Sequence, residues 1–231
     1  MPLTERKVIV TGGPTIEPLD PVRFISNRSS GKMGKAIADE ACKRAREIVF
    51  IHGPMHESLL ENTPYRMIGI ESTKDMLDAV LSELRPDCVL IMAAAPADYR
   101  PEQTSPVKIK KQKDDLVIRL VKNPDILKTV AEIRKENTAL RNIFLVGFAA
   151  ETNNIENYAL DKLAEKNLDM ICVNDIGRQD AGFGVDTNIV TIFTRWGDRL
   201  ELPLLSKKDT ASRIIDCVEE GIAKKTEKLL P

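Results

Sequence analysis

The chain has 231 residues, 42% hydrophobic and 30% charged, which is long enough for a substantial core and too apolar for a disordered chain. Its 34 lysines and arginines are balanced by 35 aspartates and glutamates, so no net field draws it to nucleic acid. It has no signal peptide and no run near the roughly 18 apolar residues of a membrane span, and Cys42, Cys88, Cys172 and Cys217 form no C-x-x-C pair, which predicts free thiols in a reducing, cytoplasmic setting.

The first element is KVIVT (7–11), a β-branched run that reads as a buried strand ending in the turn GGPT. Residues 31–45 then carry Met33, Ile37, Ala38, Ala41 and Cys42 at helical spacing. Two readings of the serine-glycine turn before this helix stand side by side. Ser29 or Ser30 caps the helix, with Gly31 permitting a tight approach, or the unpaired N–H groups there receive an anion. EIVFIHGP (47–54) is the next strand and turn, and YRMIGI (65–70) a short strand. His52 and His56 flank Gly53-Pro54 with no carboxylate-rich cluster beside them, so they are not expected to hold a metal. Residues 72–84 form a helix that Ser72 caps, with Asp75 completing a capping box. DCVLIMAAA (87–95) is a strongly buried strand with Pro96 just past it. The order β-α-β-β-α-β predicts a mostly parallel sheet covered by helices.

The rhythm breaks at VKIKKQKDDLVIRLVKNPD (107–125), two alternating stretches joined around Asp114-Asp115. They predict an antiparallel hairpin, either an arm off the main sheet or an edge hairpin guarded by lysines. A helix near 124–136, strand 142–150, helix 155–166 and strand 169–173 resume the α/β pattern. After the loop 174–188 come strands 189–195 and 199–204, an antiparallel pair turned at Trp196-Gly197-Asp198. Residues 207–221 close as a helix whose lysine-rich end frays. The fold class is α/β: a three-layer, Rossmann-like, mostly parallel sheet with helices on both faces, in one domain (1–231) with a hairpin arm at about 107–121.

Small and polar residues cluster at four strand ends: TGGPT, AAAPADYRP, GFAAET and VNDIG. In such sheets a ligand binds beyond the strands' C-terminal ends, so these clusters predict a ligand site. Neither G-x-G-x-x-G nor a complete P-loop is present, because the lysine of SSGKMG is followed by methionine. A mononucleotide or phosphorylated ligand held by turns and helix termini remains open. Basic residues near the expected mouth include Arg23, Arg28, Lys32, Lys108, Lys162 and Lys166. With no base or triad beside them, they suit electrostatic stabilisation of phosphate transfer better than hydrolysis.

GPTIEPLDPVRFISNRSSGKMGKAIA (13–38), AAAPADYRP (93–101), KIKK (108–111), NPDIL (123–127), GFAAET (147–152) and NDI (174–176) resemble the bacterial phosphopantothenoylcysteine synthetase family, also called phosphopantothenate–cysteine ligase. The resemblance runs in the family's order over nearly the whole chain. It implies a reaction of coenzyme A biosynthesis. The carboxylate of 4′-phosphopantothenate attacks the α-phosphate of CTP and releases pyrophosphate, then the amine of L-cysteine attacks the acyl-cytidylate and expels CMP. It also implies Mg²⁺ on the CTP phosphates, no flavin, no decarboxylase domain, a homodimer and a possible separate phosphopantothenoylcysteine decarboxylase as partner. An ATP-dependent form of the ligase and a non-catalytic nucleotide-binding protein are the alternatives.

Carried over by position, Asn27 matches the family asparagine that contacts the acyl-cytidylate. Arg23 matches the arginine of DPVR, either organising its loop or meeting phosphate. Lys108 opens K-x-K-K, which in the family lies on a flap linked to the second half-reaction. For the nucleotide, the resemblance implies Asp98, Asn123, Pro124, Asp125, Ile126, Phe148, Lys162 and Lys166. The turns Gly12-Gly13 and Ser29-Ser30-Gly31 complete the implied nucleotide site. Pro96 stands where the family usually has valine, which removes one backbone donor near the ligand.

Overall fold

The computed structural model of the protein describes residues 2–111, 115–151, 155–175 and 184–227. Along the chain the strands and α-helices are β1 (Lys7–Gly12), β2 (Ile16–Pro18), β3 (Phe24–Ser26), α1 (Lys32–Ala41), β4 (Glu47–His52), β5 (Arg66–Gly69), α2 (Thr73–Glu83), β6 (Val89–Met92) and β7 (Tyr99–Pro101). They continue as β8 (Leu120–Lys122), α3 (Ile126–Glu136), β9 (Phe144–Glu151), α4 (Ile155–Glu165), β10 (Met170–Asp175), β11 (Thr187–Asn188), β12 (Val190–Thr194), β13 (Arg199–Glu201), β14 (Leu205–Ser206) and α5 (Lys207–Glu227).

Eight strands form one sheet in the order β13-β12-β10-β9-β6-β1-β4-β5. The six from β10 to β5 pair in parallel, and β12 and β13 complete one edge antiparallel. Taken in chain order, the parallel strands lie 3-2-1-4-5-6, so the winding reverses between β1 and β6. β1 is buried at every position, as a central strand covered on both faces must be. Successive residues point to opposite faces, which is why one strand feeds two cores. Val8 and Val10 meet Ile37 and Ala41 of α1 and Ile214 and Val218 of α5. Ile9 joins Met76 and Val80 of α2, Val130 of α3 and Ala159 of α4.

α1 sits close against the end of β1. A Cβ at Gly34 would stand 2.6 Å from the Thr11 carbonyl oxygen and 2.8 Å from Gly12 Cα. Both neighbours are backbone and cannot rotate away. Gly34→Val is therefore expected to cost about 1–3 kcal/mol, read as a lower urea midpoint at unchanged m-value. A wild-type midpoint would show that the helix yields freely.

Several expectations need correction. α1 ends at Ala41 rather than 45, as Arg44 leaves the helix to reach Glu40 and, on α5, Asp216 and Glu219. The hairpin β2–β3 was not anticipated. Its turn is held by Asp20, whose Oδ1 accepts from the Val22 and Arg23 N–H groups. The arm differs most. Residues 107–111 and 115–119 are in no strand, and β8 pairs with β7 instead. The reason lies in Ile109, whose N–H donates to Asp20 Oδ2 at 3.0 Å and whose carbonyl accepts from Arg23 at 2.6 Å. Its backbone is thus committed to the β2–β3 turn, and the turn expected around Asp114 falls partly outside the described residues. α5 runs on to Glu227 instead of fraying after 221, because Lys224 pairs with Asp198 and Lys225 with Asp169. The capping box of α2 forms as expected, with Ser72 and Asp75 bonding each other's backbone N–H. All four cysteines are free thiols, and among the described residues no helix is long and apolar enough to cross a membrane.

Candidate functional site

A cavity of about 1060 Å³ opens beyond the C-terminal ends of the parallel strands, at the winding reversal where such sheets bind ligands. Its floor is the loop that follows β6. Most of the backbone polar groups of this loop are tied down. The Ala94 N–H donates to Thr11 Oγ1 at 3.1 Å, Ala95 N–H to the Gly13 carbonyl at 2.9 Å, and Ala97 N–H to Thr15 Oγ1 at 2.9 Å. The Ala97 carbonyl accepts from Thr73 Oγ1 at 3.2 Å and from Asn123 Nδ2 at 2.9 Å. Below them the Thr15 and Thr73 hydroxyls bond each other, and buried Glu17 accepts from the Thr73 N–H at 2.9 Å. A loop fixed this way presents a rigid surface, which is what preorganised electrostatics require.

Asn27 stands over this floor, and its side-chain amide donates to the carbonyls of Ala95 at 3.0 Å and Pro96 at 3.2 Å. The start of α1 forms the adjoining wall, with Ser29, Ser30 and Gly31 in the lining. Neither serine caps the helix. Gly31 is itself the N-cap, at φ +75°, and no side chain bonds the first turn. Of the two sequence readings, the serine cap falls. The helix presents uncapped N–H groups to the cavity, a setting that favours an anion.

The opposite wall comes from α3 and α4. Asp125 caps α3 by accepting from the Lys128 N–H at 3.0 Å, and its other oxygen pairs with Lys166 at 2.9 Å. Burial works against the Asp125 charge, but Lys166 and the Lys128 N–H hold its pKa below the ordinary value. Lys162 lies one helical turn before Lys166 and also lines the cavity, as do Pro124, Ile126, Phe148 and Asp98. Asn123 ties this wall to the floor, its side chain accepting from Arg100 at 3.1 Å while its backbone N–H donates to the Asp98 carbonyl at 2.8 Å.

The structure does not bring every expected residue here: Gly12, Gly13, Arg23 and Lys108 are absent from the lining. Gly12 leaves room for the Phe50 ring, 2.7 Å from where a Cβ would lie, and Gly13 supplies the carbonyl that holds Ala95. Arg23 bonds Asp20 and the Ile109 carbonyl, so of its two expected roles it fills loop organisation. Burial opposes the Asp20 charge, yet Arg23 and the Ile109, Val22 and Arg23 N–H groups keep its pKa well below the carboxylate range. Lys108 is exposed on the segment that this pair anchors. Two residues were missed outright. Lys207 and Asn188 line the cavity, and Lys207 donates to Asn188 Oδ1 at 2.8 Å. No local pattern marks them, since Lys207 reads only as the start of a surface helix. Among the described residues no cluster of three histidine, cysteine or acidic side chains could hold a metal.

The family model for the DNA/pantothenate metabolism flavoprotein C-terminal domain matches residues 3–222. The coenzyme A biosynthesis bifunctional protein CoaBC of Bacillus subtilis (strain 168) is 44% identical over 214 residues, 93% of this chain and 51% of the relative. Its namesake in Escherichia coli (strain K12) is 41% identical over 218 residues, 93% of this chain and 52% of the relative. The chain thus spans about half the length of these curated relatives. A crystal structure of the C-terminal domain of a CoaBC protein superposes with a TM-score of 0.75 at 38% identity, covering 96% of this chain and 98% of that one. A Cab2 mutant in complex with phosphopantothenate-cysteine shares the fold at 18% identity and a TM-score of 0.72, covering 97% of this chain and 87% of that one.

Proposed function

We propose that this chain, which belongs to the DNA/pantothenate metabolism flavoprotein C-terminal domain family, is a ligase of coenzyme A biosynthesis that joins 4′-phosphopantothenate to L-cysteine through an acyl-cytidylate made from CTP. The observation that carries this reading is the cavity at the winding reversal, where Asn27, Asp98, Asn123, Phe148, Lys162 and Lys166 converge from separate segments. The first step brings a carboxylate to a triphosphate, and two anions repel. Lys162, Lys166 and the uncapped start of α1 offset that repulsion, and the rigid 93–98 loop orients the reacting groups. Mg²⁺ commonly binds through substrate phosphates and one or two carboxylates. A cavity without an acidic cluster among the described residues fits that arrangement, with Asp98 and Glu165 of its lining as carboxylates that could join the ion, which would supply further charge neutralisation to the nucleotide. In the second step, Asn27, whose amide protons rest on the Ala95 and Pro96 carbonyls, would turn one of them to the oxygen that gains negative charge when the cysteine amine attacks. The reading assigns no flavin to this chain.

Lys108 lies outside the cavity lining, so its part requires movement of the arm or a second copy of the chain. The surface around it favours a homodimer. Val107, Val117 and Leu120 of the arm and Val22 and Phe24 of the β2–β3 hairpin are exposed, Val117 by 89%. Exposed apolar surface of this kind marks a protein contact.

Pyrophosphate release from CTP is the direct test. Release that depends on 4′-phosphopantothenate is expected. Release without the acid would overturn the substrate assignment, and equal turnover with ATP would overturn the nucleotide. Lys108→Gln divides the two steps. It is expected to form acyl-cytidylate yet pass it slowly to cysteine, so that the intermediate accumulates in quenched reactions analysed by mass spectrometry. A variant that releases no pyrophosphate would place Lys108 in the first step instead.

A further inference from the structure

Thr15 is fully buried where three segments of the site meet. The residues before it continue β1 beside the loop that follows β6. Pro14 bridges Ala95 in parallel, and the Gly13 carbonyl takes the Ala95 N–H at 2.9 Å. The Thr15 hydroxyl lies 2.9 Å from that of Thr73, the first residue of α2, and both hydroxyls also bond Ala97. A hydroxyl has one proton to give and an oxygen that accepts. Thr73 gives its proton to the Ala97 carbonyl at 3.2 Å, so Thr15 is the donor between the two hydroxyls. Its oxygen accepts the Ala97 N–H at 2.9 Å. The relay therefore closes on itself, and both backbone polar groups of Ala97 are fixed by one pair of side chains. Glu17 backs the pair, its Oε1 taking the Thr73 N–H at 2.9 Å and lying 3.4 Å from the Thr15 hydroxyl. The Thr15 carbonyl holds a different segment, accepting from Ser26 Oγ at 2.8 Å. Ser26 ends β3, and the next residue is Asn27, whose amide rests on the Ala95 and Pro96 carbonyls.

We propose that Thr15 and Ser26 are positioning residues that hold Asn27 and the 95–97 loop in one register. Through its hydroxyl Thr15 fixes the floor, and through its carbonyl it fixes the strand end that carries Asn27. Neither Thr15 nor Ser26 lines the cavity, so both act through residues that do. This rests on the ligase reading and deepens it, because the amide of Asn27 serves the reacting oxygen only from a set height above the floor. A misplacement of about 1 Å at reacting groups can cost about 10²-fold in rate. Binding of the nucleotide depends on other walls of the cavity, so the register is felt in turnover before affinity.

The test compares ligation by wild type, Thr15→Val, Thr15→Ser, Ser26→Ala and Asn27→Ala, and by Thr15→Val and Ser26→Ala each combined with Asn27→Ala. Urea unfolding of every variant refers the rates to folded protein. Thr15→Val is expected to lower kcat by about 10- to 100-fold with the KM for CTP little changed, and Ser26→Ala to lower it less. Thr15→Ser, which keeps the hydroxyl, should recover most of the rate. Each double variant should be no slower than Asn27→Ala alone, since a residue that acts through Asn27 then has nothing left to position. Losses that multiply, as for independent sites, would overturn the proposal. So would an unchanged kcat in Thr15→Val, a raised KM at unchanged kcat, or no recovery in Thr15→Ser. If Thr15→Val does not fold, Ser26→Ala and its double variant decide. Amide hydrogen exchange followed by NMR gives a readout without turnover. The Ala97 N–H should lose protection in Thr15→Val and keep it in Thr15→Ser, and equal protection in all three proteins would also overturn the register. Wild-type protein that shows this exchange pattern but joins no 4′-phosphopantothenate to L-cysteine would refute the ligase reading and leave the register standing.

Discussion

Under the proposed ligase reaction, Asn27→Asp is expected to lower ligation by about 10²- to 10³-fold, the usual loss when one donor to a developing oxyanion is removed. Nucleotide affinity should change little, because Lys162, Lys166 and the 93–98 loop remain. The substitution keeps the shape of the side chain and reverses its chemistry. Asn27 donates its amide to the Ala95 and Pro96 carbonyls, and a carboxylate has no proton to give either. It would face two carbonyl oxygens and, during amide formation, a third oxygen gaining negative charge. The floor should stay in place, since the Ala94, Ala95 and Ala97 N–H groups are bonded to Thr11, Gly13 and Thr15 independently of Asn27. Steady-state ligation, CTP titration and thermal unfolding together check this. Wild-type turnover would remove Asn27 from the mechanism, and a large fall in unfolding temperature would reassign it to holding the loop.

Asp169→Asn should produce the largest stability loss, about 3–5 kcal/mol, because it leaves buried cations without their counter-charge. Asp169 has no exposure. It pairs with Arg134 of α3 at 2.5 Å, Lys225 of α5 at 3.0 Å and Arg195 at 3.1 Å, and accepts from the Leu145 N–H at 2.9 Å. Arg134 also donates to the Asn167 carbonyl. One carboxylate thus joins helices from both faces of the sheet at the start of β10. Burial alone would raise its pKa, but the charges of Lys225 and Arg134 and the Leu145 N–H hold it below the ordinary value. A carboxyl depressed in the folded state adds stability that is fully present above its unfolded pKa. That stability is lost as pH falls below about 4, until the native carboxyl protonates. Urea unfolding across pH should show this acid limb in wild type and a flatter one in Asp169→Asn. A loss under 1 kcal/mol at neutral pH would mean that the cations find water instead.

Much of the fold was legible because its signals are local. β1, β4, β6 and β9 announce themselves as short β-branched runs, and Ser72 and Asp75 mark the start of α2 within four residues. The small-residue clusters after β6 and at the C-terminal ends of β9 and β10 pointed to the cavity, since ligands of such sheets gather at strand ends. The 107–121 segment was misread because alternation was taken for a sheet face. Val107, Leu116, Val117, Ile118 and Leu120 are exposed, and the backbone of Ile109 is claimed by Asp20 and Arg23, some 86 to 89 residues away. No window of sequence contains that competition.

The sequence by itself determined the α/β class, the parallel sheet, the end of the sheet at which the cavity opens and most of the segments that line it. Each of these follows from periodicity, turn chemistry or motif, all set by neighbours in the chain. Only the tertiary structure decided which residues meet there. It sent Gly12, Gly13 and Arg23 to support the site rather than line it, tied Lys166 to Asp125, and brought Lys207 to within 2.8 Å of Asn188 beside the uncapped start of α1. Charge and burial act through space, so a lysine that is ordinary in its own helix becomes a costly, oriented cation once two other elements close around it.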